Sequence, residues 1–151
     1  MSLRVRKDAA PSVLHVYTDA SVLRRGAGLA AIIKDAHGAL LGWRLKPAPR
    51  MTNNEAEYCA ILFALEQVSC LTPREVHIFS DSEVVVRQLR GEYGANVASM
   101  QQLRDRVLAL ARQFPCVTFT RVPRDENTLA DALASEAVCP GRHAPDRTIV
   151  E

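Results

Sequence analysis

The segment HIFSDSE, His77 to Glu83, decides how the rest of the chain is read. Val76, Ile78 and Phe79 favour a strand, a small polar cluster follows, and VVVRQL turns helical, so the strand ends in a carboxylate. An earlier segment, HVYTDAS at His15 to Ser21, repeats the same order of histidine, β-branched residue, aromatic, hydroxyl and aspartate. If the two strands lie parallel and in register, Asp19 and Asp81 emerge side by side at the carboxyl edge of a sheet, where ligands of open α/β sheets bind. Alternation then puts His15, Tyr17 and Asp19 on one face and His77, Phe79 and Asp81 on the matching face. Two close carboxylates repel unless a cation or a shared proton intervenes. A divalent cation is the simplest answer, and hard oxygen ligands with no Cys or His at ligand spacing point to Mg²⁺ or Mn²⁺ rather than zinc.

Working outward, Val13–Thr18, Ala27–Lys34 and Ala39–Lys46 read as three early strands, with DAHG (35–38) as a hairpin turn between the second and third. A helix opens over Met51–Asn54, with Thr52 and Glu55 as a capping box, and Tyr58, Ile61, Leu62, Leu65 and Val68 recur at helical spacing to about Cys70. Glu75–Ser80 is the next strand and Glu83–Leu89 a short helix. A second long helix carries Met100, Leu103, Val107, Leu110 and Phe114 on one face and stops at Pro115. Cys116–Val122 supplies a fifth strand and Thr128–Val138 a last helix. This order predicts an α/β fold, a five-stranded mixed sheet with helices packed on its faces. The hairpin and the crossover helix between the two aspartate strands allow them to be parallel neighbours.

The 151 residues, 48% apolar, are enough for one core, with 1–12 a polar N-terminal segment, 13–138 the domain and 139–151 an extended tail. A net charge of +2, from 19 basic and 17 acidic residues, neither requires nor excludes a polyanionic partner, so any such binding must come from local patches. Cys59, Cys70, Cys116 and Cys139 contain no CxxC pair and read as reduced thiols of a cytoplasmic protein. The N-terminus lacks a hydrophobic leader segment, and no apolar run is long enough to span a bilayer. Each acidic residue also has a plainer use: Asp81 as a helix N-cap, Asp19 closing a turn, Glu57 as a solvated helix residue, Asp131 paired with Thr128 in a capping box.

Taken together, YTDAS with Asp19, TNNEAEY with Glu57, FSDSE with Asp81 and RDENTLADALA with Asp131 resemble the four carboxylate motifs of type 1 ribonuclease H, in that family's order, over about Val13 to Val138. The resemblance implies a five-stranded mixed sheet with helices on both faces. It also implies hydrolysis of the RNA strand of RNA·DNA hybrids with two Mg²⁺ or Mn²⁺ ions roughly 4 Å apart. By that carry-over Asp19 and Asp81 are central ligands, Glu57 binds one ion and helps set the RNA 2′-hydroxyl, and Asp131 completes the second site. Thr52, Asn53 and Asn54 match positions that contact the hybrid, and their amides and hydroxyls suit contacts that demand no one base sequence.

The chain departs from the pattern in several places. Ala20 follows Asp19 where many members carry glycine, and VLRRGAG replaces a common loop, with Arg24 and Arg25 as possible phosphate contacts or solvated turn residues. The interval from Asp81 to Asp131 is too short for the basic helix and loop some members use to grip the hybrid, which leaves Arg87, Arg90 and Arg104 as substitutes or as ordinary surface charges. VPRDEN lacks the histidine many members carry before the last helix. Arg124 sits there, able to stabilise charge but poor as a proton shuttle, and His143 in the tail is the other candidate. Two other functions fit the same fold: a non-catalytic hybrid-binding module, which has no use for a costly acidic cluster, and a nuclease acting on DNA, against which the Asn53–Asn54 block speaks. A monomer is the favoured state.

Overall fold

The computed structural model describes residues 11–138. The N-terminal residues 1–10 and the 139–151 tail, with Cys139 and His143, lie outside the described residues. Five strands, β1 (Val13–Leu23), β2 (Gly26–Asp35), β3 (Leu40–Ala48), β4 (Glu75–Ser80) and β5 (Cys116–Arg121), form one sheet in the order β3-β2-β1-β4-β5. The hairpins β1–β2 and β2–β3 are antiparallel, whereas β1–β4 and β4–β5 are parallel. Helix α1 (Asn53–Val68) makes the crossover from β3 to β4, α2 (Glu83–Leu89) and α3 (Ala98–Ala111) make the one from β4 to β5, and α4 (Thr128–Val138) closes the described chain. The five-stranded mixed sheet predicted from the element order is therefore the observed one.

Alternation along β2 divides the apolar residues between two cores. Leu29, Ala31 and Ile33 join Leu14 and Val16 of β1 and Val76 and Ile78 of β4 under α1, while Ala30 faces α4 with Leu45, Ala134 and Ala137. Helices thus cover both faces. Helix α1 lies between the sheet and α3, which explains why it buries Tyr58, Ile61, Leu65 and Val68 and also Ala56, Ala60 and Ala64. Its N-terminus carries the expected capping box, with the Glu55 N–H donating to Thr52 Oγ1 at 3.2 Å and the Thr52 N–H to Glu55 Oε1 at 3.0 Å. The DAHG turn also forms. Asp35 accepts the N–H groups of His37 and Ala39, and Gly38 takes φ +85°, a conformation that favours glycine.

Strand β1 departs from expectation: it runs to Leu23 rather than Thr18, and Arg24–Arg25 form a tight turn into β2. Its pairing with β4 ends at Tyr17–Phe79, but its pairing with β2 continues to Leu23–Gly26. Turn-like composition in ASVLRRG hid this continuation, because only the β2 side of the strand is still bonded there. Asp19 accordingly lies inside β1, just past the point where the strand loses β4 as a neighbour.

Helix α4 approaches β2 so closely that a Cβ on Gly28 would sit 2.1 Å from the Ala134 carbonyl oxygen and 2.8 Å from Val138. Gly28→Ala is expected to lower stability by about 1–3 kcal/mol in chemical denaturation, since the obstructing atoms are mostly backbone. Gly94→Ala, whose added Cβ meets nothing nearer than 3.9 Å, is the control and should stay within about 0.5 kcal/mol of the parent.

Candidate active site

The register His15–His77 and Tyr17–Phe79 carries the two repeated segments to the same level of the sheet. Ring contacts confirm the shared face: Tyr17 stacks on Phe79 with centroids 4.7 Å apart, and His15 meets His77 edge-on at 5.2 Å. One step further along lie Asp19 in β1 and Asp81 just after β4. The hydroxyl before each aspartate has structural work: Thr18 Oγ1 donates to the Phe79 carbonyl at 3.3 Å, and Ser80 Oγ accepts the Ser82 N–H at 3.1 Å where the chain turns. Ser82, not Asp81, caps α2, by accepting the Val85 N–H. The capping explanation of Asp81 is thereby removed.

Helix α1 brings Glu57 to the same place. One carboxylate oxygen from each of Asp19, Glu57 and Asp81 lies within 4.8 Å of the others, at the floor of an open cleft of about 290 Å³. Asp19 is 4% exposed and accepts the Ala20 N–H at 2.9 Å; Glu57 Oε1 is buried with no hydrogen-bond partner. Burial first, and then the charge of Asp81, push the Asp19 carboxyl up to about 7. Burial first, and then Asp19, push the Glu57 carboxyl up to about 10, against the opposing pull of Arg124. Burial and the neighbouring carboxylates thus make Asp19 and Glu57 hold protons more tightly than ordinary acids do.

Asp131 also lines the cleft, but from an exposed position on α4, and it is not part of the compact trio. Its N–H donates to the Asn127 carbonyl, so the helix begins after Asn127 and the Thr128–Asp131 capping box does not form. Asn53, Asn54 and Arg124 line the cleft as well. Thr52 does not; its hydroxyl is engaged in the cap of α1. Arg87 and Arg90 pair with Glu92, and Arg104 with Asp105, so these arginines are held in surface ion pairs outside the cleft. The motif RDENTLADALA includes Asn127, four residues before Asp131, without marking what it does; it is 2% exposed and donates Nδ2–H to the Thr18 carbonyl at 2.8 Å and to Asp81 Oδ2 at 3.1 Å. The signal was its place before α4, which suggests only a helix cap.

Residues 17–137 match the family described as reverse transcriptase-like. A bifunctional protein of Mycobacterium tuberculosis is 34% identical over 113 residues, which are 74% of this chain but 31% of that protein, so the chain spans about a third of this relative's length. Ribonuclease HI of Halobacterium salinarum is 33% identical over 128 residues, covering 83% of this chain and 64% of that protein. Among solved structures, a ribonuclease H1 determined in complex with an RNA/DNA hybrid superposes with a TM-score of 0.80 at 28% identity, covering 86% of this chain and 99% of that one.

The Asp19 carboxyl protonates higher in the folded chain than its ordinary value of 3.8. The folded state therefore holds more protons than the unfolded chain between about pH 4 and 7, and stability present at acid pH is lost as pH rises through that window. Asp81→Asn removes the largest charge acting on Asp19. In chelator-treated protein it should flatten the fall and stabilise the fold by about 1 kcal/mol at pH 8 in thermal or urea unfolding. A variant less stable than the parent at pH 8 would contradict the repulsion.

Proposed function

The chain belongs to the reverse transcriptase-like family, and from that premise we propose that it is a metal-dependent endonuclease that hydrolyses the RNA strand of RNA·DNA hybrids. The observation that carries this reading is the trio Asp19, Glu57 and Asp81, with three ligand oxygens within 4.8 Å of one another at the strand ends. The donor set fits a hard divalent cation: all ligands are carboxylate oxygens, and the buried Glu57 Oε1 has no other partner. The halobacterial ribonuclease HI and the ribonuclease H1 solved with a hybrid support the substrate class.

In this reading Asp19, Glu57 and Asp81 hold the metal, and Asp131, across the cleft, completes a second site for a pair of Mg²⁺ or Mn²⁺ ions. Bound ions would supply an activated water and charge stabilisation at the leaving 3′-oxygen. The chain's own groups do the rest. Asn53 and Asn54 present amides to sugars and base edges at the cleft wall, Thr52 holds that wall by capping α1, and Glu57 also orients the RNA 2′-hydroxyl. Arg124 places a permanent positive charge beside the reacting phosphate without shuttling protons. Residues 13–138 form the catalytic unit of a monomeric, cytoplasmic protein. Among the described residues no helix is long and apolar enough to cross a membrane.

Cleavage of a hybrid labelled on the RNA strand should require Mg²⁺ or Mn²⁺, stop with chelator, and fall by roughly a thousandfold or more in Asp81→Asn. Duplex DNA should be left intact. A folded parent protein that cuts no hybrid with either metal would sink the proposal and leave hybrid binding without cleavage as the alternative. Cutting of DNA would favour the related DNA nuclease.

A further inference from the structure

Asn127 stands where a helix cap is expected, directly before α4, and its backbone carbonyl accepts the Asp131 N–H at 3.0 Å as a cap's does. Its side chain does something else. A capping asparagine accepts an N–H of the first turn with Oδ1, but here Oδ1 is buried without a hydrogen-bond partner. The amide is turned instead so that Nδ2 donates to the Thr18 carbonyl at 2.8 Å and to Asp81 Oδ2 at 3.1 Å. A carbonyl oxygen can only accept, so the atom facing Thr18 must be the amide nitrogen and the orientation is settled. The unmade capping bond leaves a buried acceptor unsatisfied, an unfavourable state.

One side chain thus ties three separate elements at the cleft: β1 at Thr18, just past the end of its pairing with β4, the residue that follows β4, and the start of α4. Its effect on the carboxylates is specific. Asp19 has one oxygen held by the Ala20 N–H, and Asp81 has one held by Asn127. With one oxygen of each fixed, the carboxylate planes have little freedom to turn apart under their mutual repulsion.

We propose that Asn127 is a positioning residue that holds the Asp81 carboxylate in its ligand orientation, so that removing the amide weakens divalent-metal binding while the protein stays folded. The inference rests on the metal-binding reading above. Groups that orient a ligand from behind it are typically worth about tenfold or more in metal affinity.

The test is calorimetric titration of the full chain with Mn²⁺ for the parent, Asn127→Ser and Asn127→Ala, with metal-free melting temperatures and circular dichroism alongside. Serine can cap a helix but is too short to bridge Thr18 and Asp81, so it separates the capping role from the positioning role. The expected result is roughly tenfold weaker Mn²⁺ binding in both variants. In Asn127→Ser it should come with a native circular dichroism spectrum. If both variants bind Mn²⁺ as the parent does and only their melting temperatures fall, Asn127 is a structural tie and the inference is overturned. If the parent itself binds no Mn²⁺, the metal-binding reading fails and the inference falls with it, an outcome distinct from a change confined to the variants.

Discussion

Everything at the cleft depends on the parallel pairing of β1 with β4. That ladder aligns His15 with His77 and Tyr17 with Phe79, and it stops there. Because it stops, the next residues of the pattern, Asp19 and Asp81, face one another across a gap that no backbone hydrogen bond fills. A slip of one residue would turn one aspartate to the opposite side of the sheet. The register is held from both sides, by the buried Leu14, Val16, Val76 and Ile78 under α1 and by the stacked Tyr17 and Phe79 on the other face.

The acids so assembled work against the fold. Burial and mutual repulsion keep protons on Asp19 and Glu57 well above the usual carboxylate range, a state that disfavours folding as pH rises. Neutral polar groups restrain the repulsion without cancelling it: Thr18 ties β1 to β4, Ser80 shapes the turn after Asp81, and Asn127 holds Asp81 to β1. Apart from Arg124, the cluster is shaped by dipoles rather than salt bridges. A local conflict that the surrounding structure sustains is the usual mark of a functional site.

Much of this was legible in the sequence, because its strongest signals were local and periodic. The repeated His-β-aromatic-hydroxyl-Asp pattern gave the paired strands and their shared face, and Thr52 with Glu55 gave the start of α1. The boundaries of β4, α2 and α4 follow from prolines, polar clusters and caps beside apolar runs. The less legible features depend on long-range contacts. The extension of β1 to Leu23 is stabilised by β2 alone, and nothing in SVLRR marks it. Ser82 takes the cap that Asp81 seemed suited to, a choice made by side-chain geometry. The bond from Asn127 to Thr18 spans 109 residues, and no local pattern encodes it. The close seating of α4 on β2, where Ala134 and Val138 crowd Gly28, is likewise a contact between residues far apart in the chain.

The proposed cation site of Asp19, Glu57 and Asp81 rests on this register. The most direct test is anomalous diffraction from crystals of the protein equilibrated with Mn²⁺. An anomalous peak in contact with carboxylate oxygens of all three residues is the expected result. A fully occupied Mn²⁺ elsewhere on the protein, with the three carboxylates together and bare, would contradict it.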